Sequence, residues 1–231
     1  MKKYFDAHCH LLNLNTLPQN VGAIFNAAQI SDWNDIIAAT KSGANILGAI
    51  GIHPWYVSNL PKGWRDMLRD ALRTNSKLLI GEIGLDKHRP DIAQQTSVFT
   101  TQLQLAYELQ RGVQLHCVGT WDKVLGILRG QGNKLPLFII AHEYSGPIKD
   151  MEKMAKKYNM YFSYGPRSLR NPERILLTPS NRILSETDGT NPETVIEIVD
   201  KISDILNLAP NKMADIIYQN TIQALQNDTI A

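Results

Sequence analysis

The chain has 231 residues, 43% hydrophobic and 20% charged, with 24 basic against 22 acidic side chains. That length suits one domain with a substantial core, and residues 1–231 are expected to form one. The net charge of +2 is too small to imply a nucleic-acid partner by itself, and the apolar runs are strand-sized, far short of a membrane span.

In chain order, short apolar runs alternate with helical patterns. The first strand candidate, Lys3–Ala7, leads into His8-Cys9-His10. Asp6, His8 and His10 interrupt any apolar core of a signal peptide, so a cytoplasmic location is expected. Strand candidates follow at Gly22–Asn26 and Ile46–Ile52, separated by a helix over Asp32–Lys41 with Ser31 as its N-cap. The fourth, Leu78–Glu82, precedes a long helix over Asp91–Arg111, where Val98, Leu103, Ala106 and Leu109 form a stripe. Val113–His116, Leu137–Ala141, Met160–Tyr164 and Ile183–Glu186 complete a set of eight strands. Helices over Trp121–Leu128, Ile148–Lys157 and Glu173–Leu177 serve the crossovers between them. Pro192–Leu206 and Pro210–Gln226 close the chain as helices, each opened by a proline suited to a first turn. Eight alternating units in a chain of this size predict a closed (β/α)8 barrel, that is, a TIM barrel. An open doubly wound sheet is the competing architecture, but its glycine-rich first turn is replaced here by His-Cys-His.

Five of the six histidines, His8, His10, His53, His116 and His142, fall at or just after the C-terminal end of a predicted strand. Glu82 does the same, and Asp188 follows the eighth strand closely. That end of a barrel carries the active site, so residues distant in sequence converge on one mouth. His8 and His10 stand two apart on a strand and point to one side, with Cys9 facing away. Paired imidazoles with carboxylates nearby suit zinc, nickel, manganese or magnesium, one ion or two. Glu82 can bridge two cations. Asp188 can ligate and also take a proton from an attacking water. Cys9 and Cys117 are expected to pack against helices, in a reducing compartment. His88, between Lys87 and Arg89, reads as solvated surface. Trp55, Trp64 and Trp121 are expected to pack in the core, with pocket lining as the alternative for Trp55.

These motifs resemble those of the TatD family of metal-dependent deoxyribonucleases. The matching segments are Phe5-Asp6-Ala7-His8-Cys9-His10-Leu11, Gly51-Ile52-His53-Pro54, Gly81-Glu82-Ile83-Gly84-Leu85-Asp86, His116, His142 with Ser145-Gly146, and Glu186-Thr187-Asp188. Gln95, Phe99, Gln102, Leu103 and Ala106 resemble the family's helix before the fifth strand, and Asn220-Thr221 its closing helix. The resemblance implies a barrel of the amidohydrolase type holding up to two divalent cations. It implies one metal on His8, His10 and Asp188, a bridging Glu82, and a second metal on His116 and His142. It implies His53 at the substrate edge, Asp6 supporting the histidine pair, and hydrolysis of DNA phosphodiesters by a metal-activated water. Nothing in the sequence points to a membrane or to an obligate protein partner.

The chain departs from the family pattern at several positions. Val118 stands where the family often has arginine, Gly112 where proline is usual, and Glu143, which adds a negative charge near the mouth, where cysteine is usual. Tyr144 replaces a common phenylalanine, and Gly189 follows Asp188. Arg167 and Arg170 can supply the cation that Val118 omits, with Arg167 as the substrate-binding candidate. Two other readings follow from these departures: a hydrolase of an amide, ester or small phosphate compound, and a catalytically inactive metal-binding protein.

Overall fold

The structure, a computed structural model, describes residues 2–10 and 17–226. Leu11, the last residue of the first motif, lies outside them. Eight strands run parallel in sequence order: β1 Tyr4–Cys9, β2 Val21–Asn26, β3 Ile46–Ile50, β4 Leu78–Asp86, β5 Val113–Val118, β6 Ile139–Ala141, β7 Met160–Tyr164 and β8 Ile183–Ser185. The helices are α1 Trp33–Ala39, α2 Trp64–Thr74, α3 Ile92–Glu108, α4 Trp121–Gly130, α5 Met151–Tyr158, α6 Pro172–Leu177, α7 Val195–Ile205 and α8 Pro210–Gln226. This is the (β/α)8 barrel that the alternation predicts. The β8 strand lies beside β1. Ser185 Oγ donates to Phe5 O at 3.3 Å, and beyond the strand Asp188 N donates to His8 O at 3.0 Å. None of the described helices is long and apolar enough to cross a membrane.

Two apolar layers sort the strand residues. Phe5, Ile24, Leu79, Phe138, Ile140, Tyr161 and Leu184 fill the barrel interior. Their sequence neighbours pack outward against the helices, as strand alternation requires. The sequence reading names no helix between the third and fourth strands, yet α2 lies there and buries Leu68 and Leu72. Its signal is a four-residue spacing, Trp64, Leu68, Leu72, among charged residues. Ser31 does not cap α1. The chain enters that helix through a 3-10 turn, Ile30–Asp32, where Asp32 Oδ2 accepts from Gln29 N at 2.8 Å and Ala28 N at 3.1 Å.

Buried amides tie the helices to the strand ends. Gln102 Oε1 accepts from Ile52 N at 2.7 Å and its Nε2 donates to Ile52 O at 3.1 Å. Gln95 likewise accepts from Asp86 N at 2.8 Å. Asn220 Nδ2 donates to Ser180 O and Ile183 O at 2.8 and 2.9 Å, fixing the start of β8. The glutamines of the long helix and the asparagine of the last one therefore set where the mouth residues stand.

Candidate metal centre

Simple alternation along β1 would put Phe5, Ala7 and Cys9 on one face. Instead, the pairing with β2 shifts between Asp6 and Cys9. The irregularity swaps faces: Cys9 joins the outer core, and His8 and His10 turn toward the mouth. A second shift, between Ile80 and Ile83 of β4, presents Glu82 in the same way while Ile80 and Ile83 both stay in the outer core. The glycines flanking Glu82 are required by close approach. A Cβ on Gly84 would lie 1.8 Å from His116 O, and one on Gly81 would lie 2.4 Å from the Gln114 Cβ. On β5 the alternation is regular and puts Gln114 and His116 inward.

Glu82 is the centre of the constellation. Its Oε1 lies 3.4 Å from His8 Nε2 and 3.6 Å from His10 Nε2. Its Oε2 lies 3.1 Å from His142 Nε2, 3.4 Å from His116 Nδ1 and 3.6 Å from His53 Nε2. One carboxylate thus faces two separate sets of imidazoles. Asp188 Oδ1 adds to the first set, 3.5 Å from His10 Nε2 and 3.8 Å from His8 Nε2. Among the described residues, three groups have donor atoms close enough to share an ion: His8, His10 and Asp188; His8, Glu82 and His142; and His53, Glu82 and His116. Burial pushes Glu82 up, but His8, His142 and His116 outweigh it and hold its carboxyl well below the usual range. Burial pushes His142 down, yet Glu82 and Glu186 raise it to about 10. A buried carboxylate set among imidazoles suits a divalent cation, whose ligands give up their protons on binding.

The hydrogen bonds behind the imidazoles decide which nitrogens carry lone pairs. Gln114 Nε2 donates to Ala7 O at 2.7 Å, so its Oε1 faces His8 Nδ1 at 3.1 Å and must accept. His8 is therefore protonated at Nδ1. Its buried Nε2, which has no hydrogen-bond partner, presents a lone pair. His10 Nδ1 meets the carbonyl of Asn26 at 3.1 Å, with the same consequence. An orphaned, buried acceptor aimed at two carboxylates fits a metal. His53 is the opposite case. Its Nδ1 accepts from Trp55 N at 3.2 Å, and burial lowers its pKa to about 3. It is neutral and protonated at Nε2, so it offers a donor rather than a lone pair to the site.

Asp6 and Thr187 join the two ends of the barrel. Asp6 accepts from His8 N and Thr187 N, both at 3.1 Å, and from Thr187 Oγ1 at 2.6 Å. Burial pushes Asp6 up to about 8 against those three bonds. Its contacts hold the β1 backbone at His8 to the segment after β8 that carries Asp188. Three polar residues that the sequence reading gave no role also stand behind the imidazoles. They are Gln114, Asp86, 3.5 Å from His116 Nε2, and Glu186, 3.5 Å from His142 Nδ1. Gln114 was findable, since it sits two residues before His116 and so shares its strand face.

At the mouth, Glu143 does something other than add free negative charge. Its Oε1 accepts from Arg167 N at 2.9 Å and its Oε2 from Ser168 N at 2.6 Å, pinning the turn after β7. Arg167 is exposed, and its guanidinium contacts Asp188 Oδ2. Glu143 and Asp188 both adopt positive φ, 41° and 48°, a conformation that costs energy and clusters at functional sites. Arg170 is exposed in the same segment, and so is His88 on its loop after β4. Cys9 and Cys117 are buried outside the groups that could share an ion. The absent family proline at Gly112 is explained by Phe138, whose Cζ would lie 2.1 Å from an added Cβ.

The sequence profile of the family described as TatD related DNase matches residues 5–226. An uncharacterized metal-dependent hydrolase from Methanocaldococcus jannaschii is 25% identical over 95% of both chains. A 3′-5′ ssDNA/RNA exonuclease TatD from a Pantoea species is 34% identical over 149 residues, 60% of this chain and 56% of that one. The crystal structure of a TatD homolog from Escherichia coli K12 superposes with a TM-score of 0.82, covering 96% of this chain and 97% of that one. At 22% identity, that likeness bears on the fold alone.

Proposed function

The chain belongs to the TatD related DNase family and is a metal-dependent hydrolase, and on that premise we propose that it cleaves phosphodiester bonds in DNA. The observation that carries this reading is Glu82, with one oxygen toward His8 and His10 and the other toward His116 and His142. In this reading His8, His10 and Asp188 would hold one divalent ion and His116 with His142 a second, with Glu82 between the two sets. The ion, of the zinc, magnesium, manganese or nickel class, supplies Lewis acidity and lowers the pKa of a bound water.

The remaining chemistry belongs to the chain. Asp188 accepts the proton lost by the attacking water. Arg167 leaves Asp188 for a phosphate oxygen, a contact that guanidinium geometry favours. His53 donates through Nε2–H at the substrate edge. Asp6 positions His8 and Asp188. The exonuclease relatives support a single-stranded substrate, which exposes its phosphates and bases without unwinding.

Val118 favours a second reading, a smaller ester or amide substrate, because it removes the arginine that the family often has at that position. Glu143 favours it less, since its charge is engaged by two backbone N–H groups. A substrate panel separates the two. Purified protein with added manganese or magnesium is offered phosphodiesters, carboxylic esters and amides, with Asp188→Asn as control. Turnover confined to phosphodiesters and lost in the variant is expected; turnover of esters or amides alone overturns the proposal.

A further inference from the structure

Trp55 does not behave as a core residue. Its side chain is 46% exposed, whereas Trp33 and Trp121 are 5% and 8% exposed. A single exposed aromatic needs no explanation by itself, but Trp55 stands at the mouth of the site, beside the His53 ring. Trp55 is nonetheless held in place. Its Nε1–H donates to Asp86 Oδ2 at 2.7 Å, its backbone N–H donates to His53 Nδ1, and its ring stands edge-on to the His53 ring at 5.0 Å. The guanidinium carbon of Arg89 lies 4.0 Å from its ring centroid. An exposed aromatic that is oriented by three contacts and carries a cation is ordered before any ligand arrives.

Two clefts border this side chain, and they differ in charge. One, of about 510 Å³, reaches His116 and His142 and carries Arg89, Arg167 and Arg174 beside Asp86 and Glu143, whose carboxylates already accept from Trp55, His88, Arg167 and Ser168. The other, of about 380 Å³, is lined by side chains such as Ile30, Ser31, Tyr56 and Leu60, with no Lys, Arg, Asp or Glu among them. A single strand has the same division, with anionic phosphates along one edge and neutral bases along the other. Binders of single strands pair a basic groove with aromatic platforms.

Resting on the phosphodiesterase reading above, we propose that Trp55 and Arg89 form a stacking platform for one nucleobase of the bound single strand. The neutral cleft receives the base, and the basic cleft receives the phosphates. Bases stacked inside a duplex cannot reach such a platform, so it selects for single strands or frayed ends.

The test compares two substrates on the same variants. Trp55→Ala and Trp55→Phe are assayed on oligothymidylate and on an oligomer of equal length in which abasic linkers replace the nucleosides. Stacking predicts that Trp55→Ala raises KM for oligothymidylate about tenfold, that Trp55→Phe raises it less, and that KM for the abasic oligomer does not move. Equal losses on both substrates overturn the platform, because they assign Trp55 to holding Asp86 and, through it, His116. An unchanged KM for oligothymidylate in Trp55→Ala overturns it as well. If the wild-type protein cuts neither oligomer, the phosphodiesterase reading fails, and the platform is then decided by metal-stripped protein. Oligothymidylate should quench indole fluorescence, the abasic oligomer should not, and Trp55→Phe should remove the effect. No quenching, or quenching that survives in Trp55→Phe, overturns the platform.

Discussion

Replacing Gln114 with leucine tests the tautomer reasoning. Gln114 is fully buried, accepting from His8 Nδ1 at 3.1 Å and donating to Ala7 O at 2.7 Å. Leucine fills a similar volume but leaves both groups unpaired. Each buried orphan costs about 1–3 kcal/mol, so metal-free protein should lose about 2–6 kcal/mol of unfolding free energy. A separate loss concerns the metal. Without an acceptor at Nδ1, His8 gains the freedom to carry its proton on Nε2, which removes the lone pair aimed at Glu82 and Asp188. Loss of such an orienting partner weakens metal binding about 10- to 100-fold. Denaturant unfolding of stripped protein reads the first effect, and chelator competition on folded protein reads the second. A variant whose metal affinity stays within about twofold of wild type, whatever its stability, refutes the claim that Gln114 sets the His8 tautomer.

Other outcomes follow from single contacts. Gly112→Ala places a Cβ 2.1 Å from Phe138 Cζ and should cost about 1–3 kcal/mol on denaturant unfolding, with part of the loss recovered by adding Phe138→Leu. Burial pushes the Cys117 thiol up to about 12 and Cys9 well above the usual thiol range. Both are neutral at pH 8, so a thiol reagent should label neither until the protein unfolds, and rapid labelling of native protein would count against their packing. Glu143→Ala frees Arg167 N and Ser168 N. It should raise KM for a phosphodiester about tenfold, as expected for losing hydrogen bonds to a charged group. The same variant should leave metal affinity unchanged by chelator competition.

The barrel was readable because each unit writes its own signal: a short apolar run, a polar strand end, a helical stripe. The mouth was readable because His8, His53, Glu82, His116, His142 and Asp188 all follow such runs. The irregularities were not. The shifts in β1 and β4 that re-aim His8 and Glu82 depend on pairing with neighbouring strands, which local pattern does not encode. Helix α2 was missed because Trp64, Leu68 and Leu72 are sparse among charges. Glu143 was read by its charge alone, since a side chain that accepts from Arg167 N and Ser168 N meets them only after the chain folds. Gln114 and Glu186 sat in plain view as polar residues in or just after apolar runs, and their partners are distant in sequence.

The most direct measurement is cleavage of an end-labelled single-stranded oligodeoxynucleotide by protein stripped with a chelator, then reloaded with manganese or magnesium. No cleavage by the stripped protein, cleavage on reloading, and none with Asp188→Asn under the same reload is the expected result. Cleavage that persists without metal, or that Asp188→Asn performs as well as wild type, would contradict the assignment of phosphodiester hydrolysis to the Glu82-centred site.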